Sequence, residues 1–312
     1  MLRTILILIA CLLLLPFIAM HYDSPLEAAQ TAALTHMVYL MLGVALTCFA
    51  VSELTRNCSQ VDKLWSLIPI VYVWYFAVQS GYSERLVLMA ILVTLWGIRL
   101  TYNFWRRGGY HWIPWQGEED YRWSVLRQRP FLNTRFGWAL FNLFFISLYQ
   151  NGLILLFTLP ALVAWQGEAT EIGFFDGFLT VFFLALLAIE TLADQQQYNF
   201  QTEKYRRIRE GLPLEGEYAD GFCKTGLWAR VRHPNYAAEQ GIWLCYYFFS
   251  VVATGRWLNW SLAGAILLML LFLGSSDFSE KISGEKYPGY KKYQKRVGRF
   301  LPGRVAGVQA RK

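Results

Sequence analysis

Long apolar blocks recur along this chain, and each is close to the length that crosses a bilayer. A hydrocarbon core of about 30 Å needs roughly 20 helical residues. Such blocks centre on residues 4–20, 32–52, 64–80, 85–105, 137–164, 173–195, 237–254 and 258–275. Backbone groups in lipid must bond within their own segment, which predicts helices. The sequence therefore predicts an all-α, polytopic integral membrane protein with about eight transmembrane helices.

The composition agrees with a lipid-embedded chain, because only 16% of its 312 residues are charged, against about 25% in soluble domains. No small-residue cleavage pattern follows the first block, so we expect it to be an uncleaved span. We divide the chain into N-terminal spans over 1–56, a membrane domain over 57–302 and a cytoplasmic tail over 303–312.

The basic residues predict the orientation. With the N-terminus inside, 26 of the 29 Lys and Arg residues fall in the predicted inner segments, as the positive-inside rule requires. Both termini are therefore expected in the cytoplasm of a cell whose inner membrane holds the protein. The net charge of +7 reports this topology, and no soluble basic module points to nucleic acid.

The scattered residues exclude several kinds of function. Five Cys and four His residues form no C-x-x-C or H-E-x-x-H pattern, so no metal site is expected. The two halves of the chain show no duplication of the kind that many transporters carry. The informative polar residues instead concentrate at the inner ends of the spans, which suits a cytosolic co-substrate meeting a lipid-borne one.

A first polar cluster closes the fourth predicted span, over residues 96–109. Helical spacing places Arg99, Tyr102, Asn103 and Arg106 on one face, and Arg107 follows. Arg within a span is costly and normally faces a partner or a cavity, which favours a functional Arg99. For Arg106 and Arg107 the alternative is that they extend to the membrane interface.

A second cluster closes the sixth predicted span. Glu190, Asp194 and Gln197 are spaced i, i+4 and i+7 and share a face. Carboxylates and amides at one helix end can recognise a carboxamide or a ribose. The alternative is a buried carboxylate that only pairs with an Arg.

The third cluster runs over residues 226–236 and continues to Glu239. Pro234 suits the first turn of a helix, where open backbone amides and the positive helix end can bind an anion. Arg230 and Arg232 would strengthen that site, and Asn235 and Glu239 are spaced to point at one ligand. The alternative is an ordinary helix start with interfacial Arg and Tyr residues.

These motifs resemble the domain-of-unknown-function 1295 group of the steroid 5-alpha-reductase-like superfamily. The resemblance covers about residues 57–302. It rests on Val61–Trp65, Trp96–Gly109, Glu118–Trp123, Ala193-Asp194 with Gln196, Gly226–Tyr236 with Glu239, and the Tyr-rich tail from Asp277 to Pro302.

The resemblance implies a helical membrane reductase in which NADPH gives hydride to an activated carbon–carbon double bond of a steroid-like or isoprenoid lipid. Asp194, Asn235 and Glu239 match cofactor-contacting positions, and Arg99 and Arg107 match phosphate partners. The full set of expected cofactor-binding residues is Arg99, Asn103, Arg106, Arg107, Asp194, Gln196, Arg230, Arg232, His233, Asn235, Tyr236 and Glu239. Without a G-x-G-x-x-G stretch, a Rossmann fold is not expected.

The catalytic set is less well matched. The Gln-Glu pair and Tyr of the steroid reductases are not found as such; Gln60 and Asp62 lie in that region, and Trp96 stands where the Tyr is expected. We expect Asp62, helped by Gln60 or Tyr102, to orient or protonate the acceptor, and the alternative is that Asp62 pairs with Lys63 or Arg56.

A second functional interpretation stays open. Membrane isoprenylcysteine and phospholipid methyltransferases share the Arg-His-Pro-x-Tyr helix start and a downstream Glu, and there the same pocket holds S-adenosylmethionine. The Ala193-Asp194 run and the 96–109 cluster lie outside the part that the two groups share, and they favour the reductase.

Overall fold

The computed structural model describes residues 2–113, 115–167 and 171–303, and within them it is helical with no β-strand. The chain forms two compact units, each built from two segments. Unit 1 contains Met1–Val181 and Leu244–Leu268, and unit 2 contains Phe182–Trp243 and Met269–Lys312. The predicted tail lies outside the described residues from position 304 onward.

The first part of the chain supplies most of the helices of unit 1. They are α1 Leu2–His21, α2 Ala28–Thr55, α3 Gln60–Leu64, α4 Ile68–Gln79, α5 Glu84–Trp105, α6 Tyr121–Arg127, α7 Arg135–Phe141, a π-helix Asn142–Tyr149, α8 Gln150–Thr158 and α9 Pro160–Ala164.

Three longer helices each have residues in both units: α10 Phe174–Glu210, α12 Pro234–Thr254 and α13 Leu262–Lys286. The shorter elements of unit 2 are α11 Glu217–Asp220, a 3-10 turn Gly226–Ala229 and α14 Tyr290–Arg296.

Within the described part of the chain, five helical stretches are long and apolar enough to cross a membrane, so the protein is a multi-pass membrane protein. They are Ala28–Thr55, Glu84–Trp105, Arg135–Ala164, Phe174–Glu210 and Leu262–Lys286. The eight-span count stays a prediction. The block at 64–80 differs most from expectation, because its helix Ile68–Gln79 has 12 residues and extends only about 18 Å.

Close packing fixes the C-terminal half of α5. A Cβ on Gly97 would lie 2.6 Å from the Ser66 carbonyl oxygen, so only glycine lets α5 approach the start of α4 this closely. One turn further, the Ser66 and Thr101 hydroxyls are 2.7 Å apart. These contacts hold the polar end of α5, from Arg99 to Arg107, beside the segment that follows α3.

A buried ion pair neutralises the opposite end of α5. Arg85 Nε donates to Asp176 Oδ1 at 2.7 Å, and the two side chains are 4% and 0% exposed. Arg85 also donates to the Glu171 carbonyl. Asp176 lies in the first turn of α10, where a carboxylate is stabilised by the helix dipole. The charge of Arg85, at one end of a predicted outer loop, is therefore compensated within unit 1.

In unit 2, aromatic residues hold the C-terminal segment. Phe222, Tyr290, Tyr293 and Val297 form a buried cluster, and Tyr287 packs against it. The ring centroids of Phe222 and Tyr290 are 5.0 Å apart in an edge-to-face arrangement, the favourable geometry for aromatic pairs. This cluster anchors α14 to the loop that precedes the 3-10 turn.

Candidate functional site

In unit 1, side chains of α3 are bonded to the loop before it and to the loop that follows α5. Gln60 Nε2 donates to the carbonyls of Asn57 and Trp115 at 3.2 and 3.0 Å. Its Oε1 accepts from Lys63 Nζ at 3.2 Å, and that ammonium also donates to the Gln116 carbonyl at 2.7 Å. The Gln60 amide and the Lys63 ammonium are thus engaged in holding two loops together.

A second layer of contacts compensates the acidic residues of the same loops. Glu119 accepts from the Cys58 amide at 2.7 Å and pairs with Arg127 at 2.6 Å. Asp120 accepts from the Arg122 amide at 2.8 Å and so caps α6, and it also binds the Arg122 guanidinium. The Glu118–Trp123 motif therefore builds a charge-paired junction.

Asp62 behaves differently from its neighbour Asp120. Burial raises the pKa of Asp62, the Asp120 carboxylate raises it further, and Ser59, Arg122 and Trp123 act against this shift. Burial also acts to raise the pKa of Asp120, but the interactions with Arg122 outweigh burial, and the pKa of Asp120 is lowered. Arg122 acts to lower the pKa of Asp62, and Asp62 in turn opposes the burial that lowers the pKa of Lys63. The net raised pKa of Asp62 suits a carboxyl group that keeps its proton.

At the end of α5, Tyr102, Asn103 and Arg106, which were predicted to share a face, are joined by contacts of Arg106. Arg106 donates to Asn103 Oδ1 through Nε and Nη2 at 3.0 and 2.7 Å, and Arg107 Nε donates to the Asn103 carbonyl at 3.1 Å. The Arg106 guanidinium lies 5.6 Å from the Tyr102 ring centroid. Asn103 is buried, Arg99 is half-buried, and Tyr102 is 57% exposed.

In unit 2, the middle of α10 contacts the start of α12. Asn235 Nδ2 donates to Asp194 Oδ1 at 3.0 Å, which joins residues 41 positions apart in the sequence. One turn along α12, the buried Glu239 carboxylate accepts from Trp243 Nε1 at 3.0 Å. Two carboxylates and one amide therefore occupy adjacent turns of packed helices.

The 3-10 turn is bonded to the same part of α10. Gln196 Oε1 accepts from the Leu227 amide at 2.9 Å, and Trp228 Nε1 donates to the Ala193 carbonyl at 3.0 Å. Gly226 has φ +59°, and a Cβ there would lie 2.6 Å from the Gln196 amide. Only glycine fits this approach without strain, so Ala193, Gln196 and Gly226 form one junction.

The expectation of open backbone amides at the start of α12 is wrong for Arg232, His233 and Tyr236. The Arg232 and His233 amides donate to the carbonyls of Gly298 and Arg299, because the C-terminal segment runs alongside as a short parallel bridge. The Tyr236 amide donates to Asn235 Oδ1 at 3.0 Å. An anion here would have to be bound mainly by side chains.

Arg232 and His233 are committed to a buried carboxylate. Arg232 Nε donates to Glu280 Oε1 at 2.7 Å, and its Nη1 donates to the Gln294 and Val297 carbonyls. His233 Nε2 lies 2.8 Å from the same Glu280 oxygen. The His233 ring also stacks on Tyr236 with centroids 5.4 Å apart. These contacts attach the C-terminal segment to α12 and α13, whereas the neighbouring Arg230 is exposed.

Comparison with known proteins finds one family whose model spans the polar residues described above in both unit 1 and unit 2. A family model described as a protein of unknown function, DUF1295, matches residues 48–297. The chain belongs to the DUF1295 family. A curated relative from Schizosaccharomyces pombe, uncharacterized protein C594.04c, is 38% identical over 265 residues, which cover 81% of this chain and 75% of the relative. No solved structure matches.

The structure of this DUF1295 protein adds residues that the sequence did not single out as functional. Glu280 is the main one, since it binds both Arg232 and His233 from 47 and 48 positions away. Its position three residues after Asp277 belongs to the matched tail motif, but only the fold shows which of the two carboxylates is buried: Asp277 is 65% exposed and Glu280 is 4% exposed.

Proposed function

We propose that this protein is an NADPH-dependent reductase of an activated carbon–carbon double bond in a membrane lipid. The observation that supports it best is the contact between two motifs. Asp194 and Gln196, which favour a reductase, bond directly to Asn235 and Leu227 in the motif that the reductases share with the methyltransferases. The residues that separate the two interpretations thus belong to the same group of side chains.

The chemistry of this group fits a dinucleotide. Asp194 and Glu239 supply carboxylate acceptors and Asn235 supplies an amide, the complement of a nicotinamide carboxamide and of ribose hydroxyls. NADPH, when bound, would supply the hydride. Asn235 and Glu239 are one turn apart on α12, so both can contact the same half of such a ligand.

The phosphates require cations, because the backbone amides of Arg232, His233 and Tyr236 at the start of α12 are already hydrogen-bonded. The exposed guanidinium of Arg230 is the unit 2 residue best suited to this role, whereas Arg232 is bonded to Glu280. In unit 1, Arg99, Arg106 and Arg107 stay predicted phosphate partners. A charge-assisted contact to phosphate is stronger than a neutral hydrogen bond.

For the proton we propose Asp62. Hydride addition to a conjugated double bond builds negative charge on the carbonyl oxygen, which needs a donor where that charge develops. Only a protonated carboxyl can donate, and the raised pKa of Asp62 acts in that direction. Gln60 would act indirectly, by fixing the loop through its bonds to Asn57 and Trp115.

The second candidate is a methyltransferase that uses S-adenosylmethionine. The observation in its favour is the helix start itself, where Arg232-His233-Pro234 with Tyr236 and the downstream Glu239 match the sequence pattern that both groups share. The two proposals predict different ligands, so binding distinguishes them.

The distinguishing experiment uses the full chain in detergent, with its 13 Trp residues as the reporter. We expect NADPH to quench the intrinsic fluorescence saturably and S-adenosylmethionine to leave it unchanged at the same concentrations. Saturable quenching by S-adenosylmethionine alone would favour the methyltransferase. Saturation by neither ligand would count against both proposals.

We further propose that the protein lies in the inner membrane with both termini in the cytoplasm. The support is the distribution of Lys and Arg, 26 of 29 in the predicted inner segments. A fluorescent protein fused after Lys312 should fold and fluoresce, and an alkaline phosphatase fused there should be inactive. The opposite pair of results would overturn the orientation.

A further inference from the structure

In unit 2, a pocket of about 390 Å³ lies between α14 and the loop that precedes the 3-10 turn. That volume lies within the range of small-ligand sites, about 300–1,000 Å³. Asp194 and Asn235 do not line this pocket. Three cationic residues line it: Lys224 from the loop before the 3-10 turn, and Lys292 and Arg296 from α14.

The charges in this pocket favour an anion. One carboxylate lines it, that of Asp220, and it is already paired with Lys224. Lys292 and Arg296 are exposed and spaced i, i+4, so both can reach one ligand. Three cations against one carboxylate leave an excess of positive charge in the pocket.

The floor of the pocket is aromatic. Phe222 and Tyr293 are 8% and 9% exposed, and their ring centroids are 5.3 Å apart. The Tyr293 hydroxyl donates to the Trp228 carbonyl, so the floor is fixed to the 3-10 turn. This apolar floor offers contact to an organic group rather than to a bare ion.

From these observations we propose that this pocket binds an organic phosphate. Its phosphate group would lie between Lys292 and Arg296, and its organic part would pack on Phe222 and Tyr293. Arg and Lys are the residues that bind phosphate in proteins, and a phosphomonoester carries close to two negative charges at neutral pH. The phosphate can belong to a lipid headgroup or to a soluble nucleotide. The proposal does not depend on the reductase activity.

The test titrates full-length protein in detergent with two phosphate probes, dioctanoyl phosphatidic acid and adenosine 2′-monophosphate. Dioctanoylglycerol and adenosine, which lack the phosphate, are the matched ligand controls. We expect saturable binding of one phosphate probe and none of its phosphate-free counterpart. The probe that binds identifies the source. No saturable binding of either probe to the wild-type protein would overturn the proposal.

The chain offers a variant control with the same change of charge. Lys291 and Lys295 lie on α14 beside Lys292 and Arg296 and are equally exposed, but they do not line the pocket. The Lys292→Glu/Arg296→Glu variant should weaken binding at least tenfold, as loss of charge-assisted contacts implies. The Lys291→Glu/Lys295→Glu variant should change it less than threefold. Equal effects of both variants would show attraction to diffuse surface charge and overturn the site.

The milder Lys292→Ala/Arg296→Ala variant guards against a folding defect in the charge-reversed protein. All variants should melt within a few degrees of the wild type, since the substituted side chains are exposed. Wild-type affinity in the folded alanine variant would equally overturn the proposal.

Discussion

The two groups of polar residues in this protein use their charges differently. In unit 1, the carboxylates Glu119 and Asp120 are paired with arginines from the same short segment. In unit 2, Asp194 and Glu280 contact side chains that are more than 40 positions away. Local pairs close a loop, whereas distant pairs define where helices meet. A polar residue on a predicted helix face is therefore a candidate for ligand binding only once its partners within the protein are known.

The largest expected effect concerns Glu280. Replacing it with Ala leaves the buried Arg232 guanidinium and His233 without their carboxylate, and loss of one partner of a buried pair typically costs about 3–5 kcal/mol. Chemical unfolding in detergent measures this loss. The matched control is Asp277→Ala, which removes an exposed partner of Arg299 on the same helix and should cost less than about 1 kcal/mol. Similar losses in both variants would break the distinction between the two carboxylates.

The next effect sharpens the contrast within unit 1. Asp120→Ala removes the cap of α6 and should lower the free energy of unfolding by about 1 kcal/mol at neutral pH. Because the pKa of Asp120 is lowered in the folded state, its contribution is present above the ordinary value and lost as the pH falls through the folded pKa. Unfolding curves at neutral and acidic pH measure both effects.

Asp62 should show the opposite sign. Its pKa is raised in the folded state, so ionisation lowers stability as the pH rises from the ordinary value through the folded pKa. Asp62→Asn mimics the protonated form and should be at least as stable as the wild type at neutral pH, while losing turnover and keeping NADPH binding. A clear loss of stability in this variant would show that Asp62 serves mainly as an ionised partner.

The smallest expected effect concerns Tyr102. Its ring lies beside the Arg106 guanidinium, and its side chain is largely exposed. We therefore expect Tyr102 to act through its ring, which contacts Arg106, rather than through its hydroxyl. Tyr102→Phe keeps the cation–π contact and should change turnover less than about twofold, because such exposed contacts contribute only about 0.5–1 kcal/mol even when lost. A tenfold loss of turnover would return the hydroxyl to the catalytic set.

The sequence predicted the helical membrane class because length and apolarity directly limit what lipid tolerates. It missed the break in the block at 64–80, since the segment between α3 and α4 stays apolar. Pro69 lies in the first turn of α4, where proline is favoured, and so marks the true start. The predicted span at 173–195 is part of the longer helix α10. The helix continues through polar residues with good helix propensity until Gly211, which has φ +68°, a common way to end a helix.

The candidate site was predictable only in part. Spacing along one helix correctly brought Tyr102, Asn103 and Arg106 together. Spacing could not show that Arg232 and His233 bind Glu280, nor that the C-terminal segment occupies the amides at the start of α12. Those contacts join distant parts of the chain, and only the fold brings them together.

The most direct test of the central claim is the dissociation constant of NADPH for Arg230→Ala. Arg230 and Arg209 are both exposed arginines of unit 2, and Arg209→Ala is therefore the matched control. The account predicts saturable binding by the wild type, a roughly ten- to hundredfold weaker constant for Arg230→Ala, as loss of a charge-assisted phosphate contact implies, and little change for Arg209→Ala. Equal affinity in all three proteins would contradict the assignment of the cofactor to the start of α12.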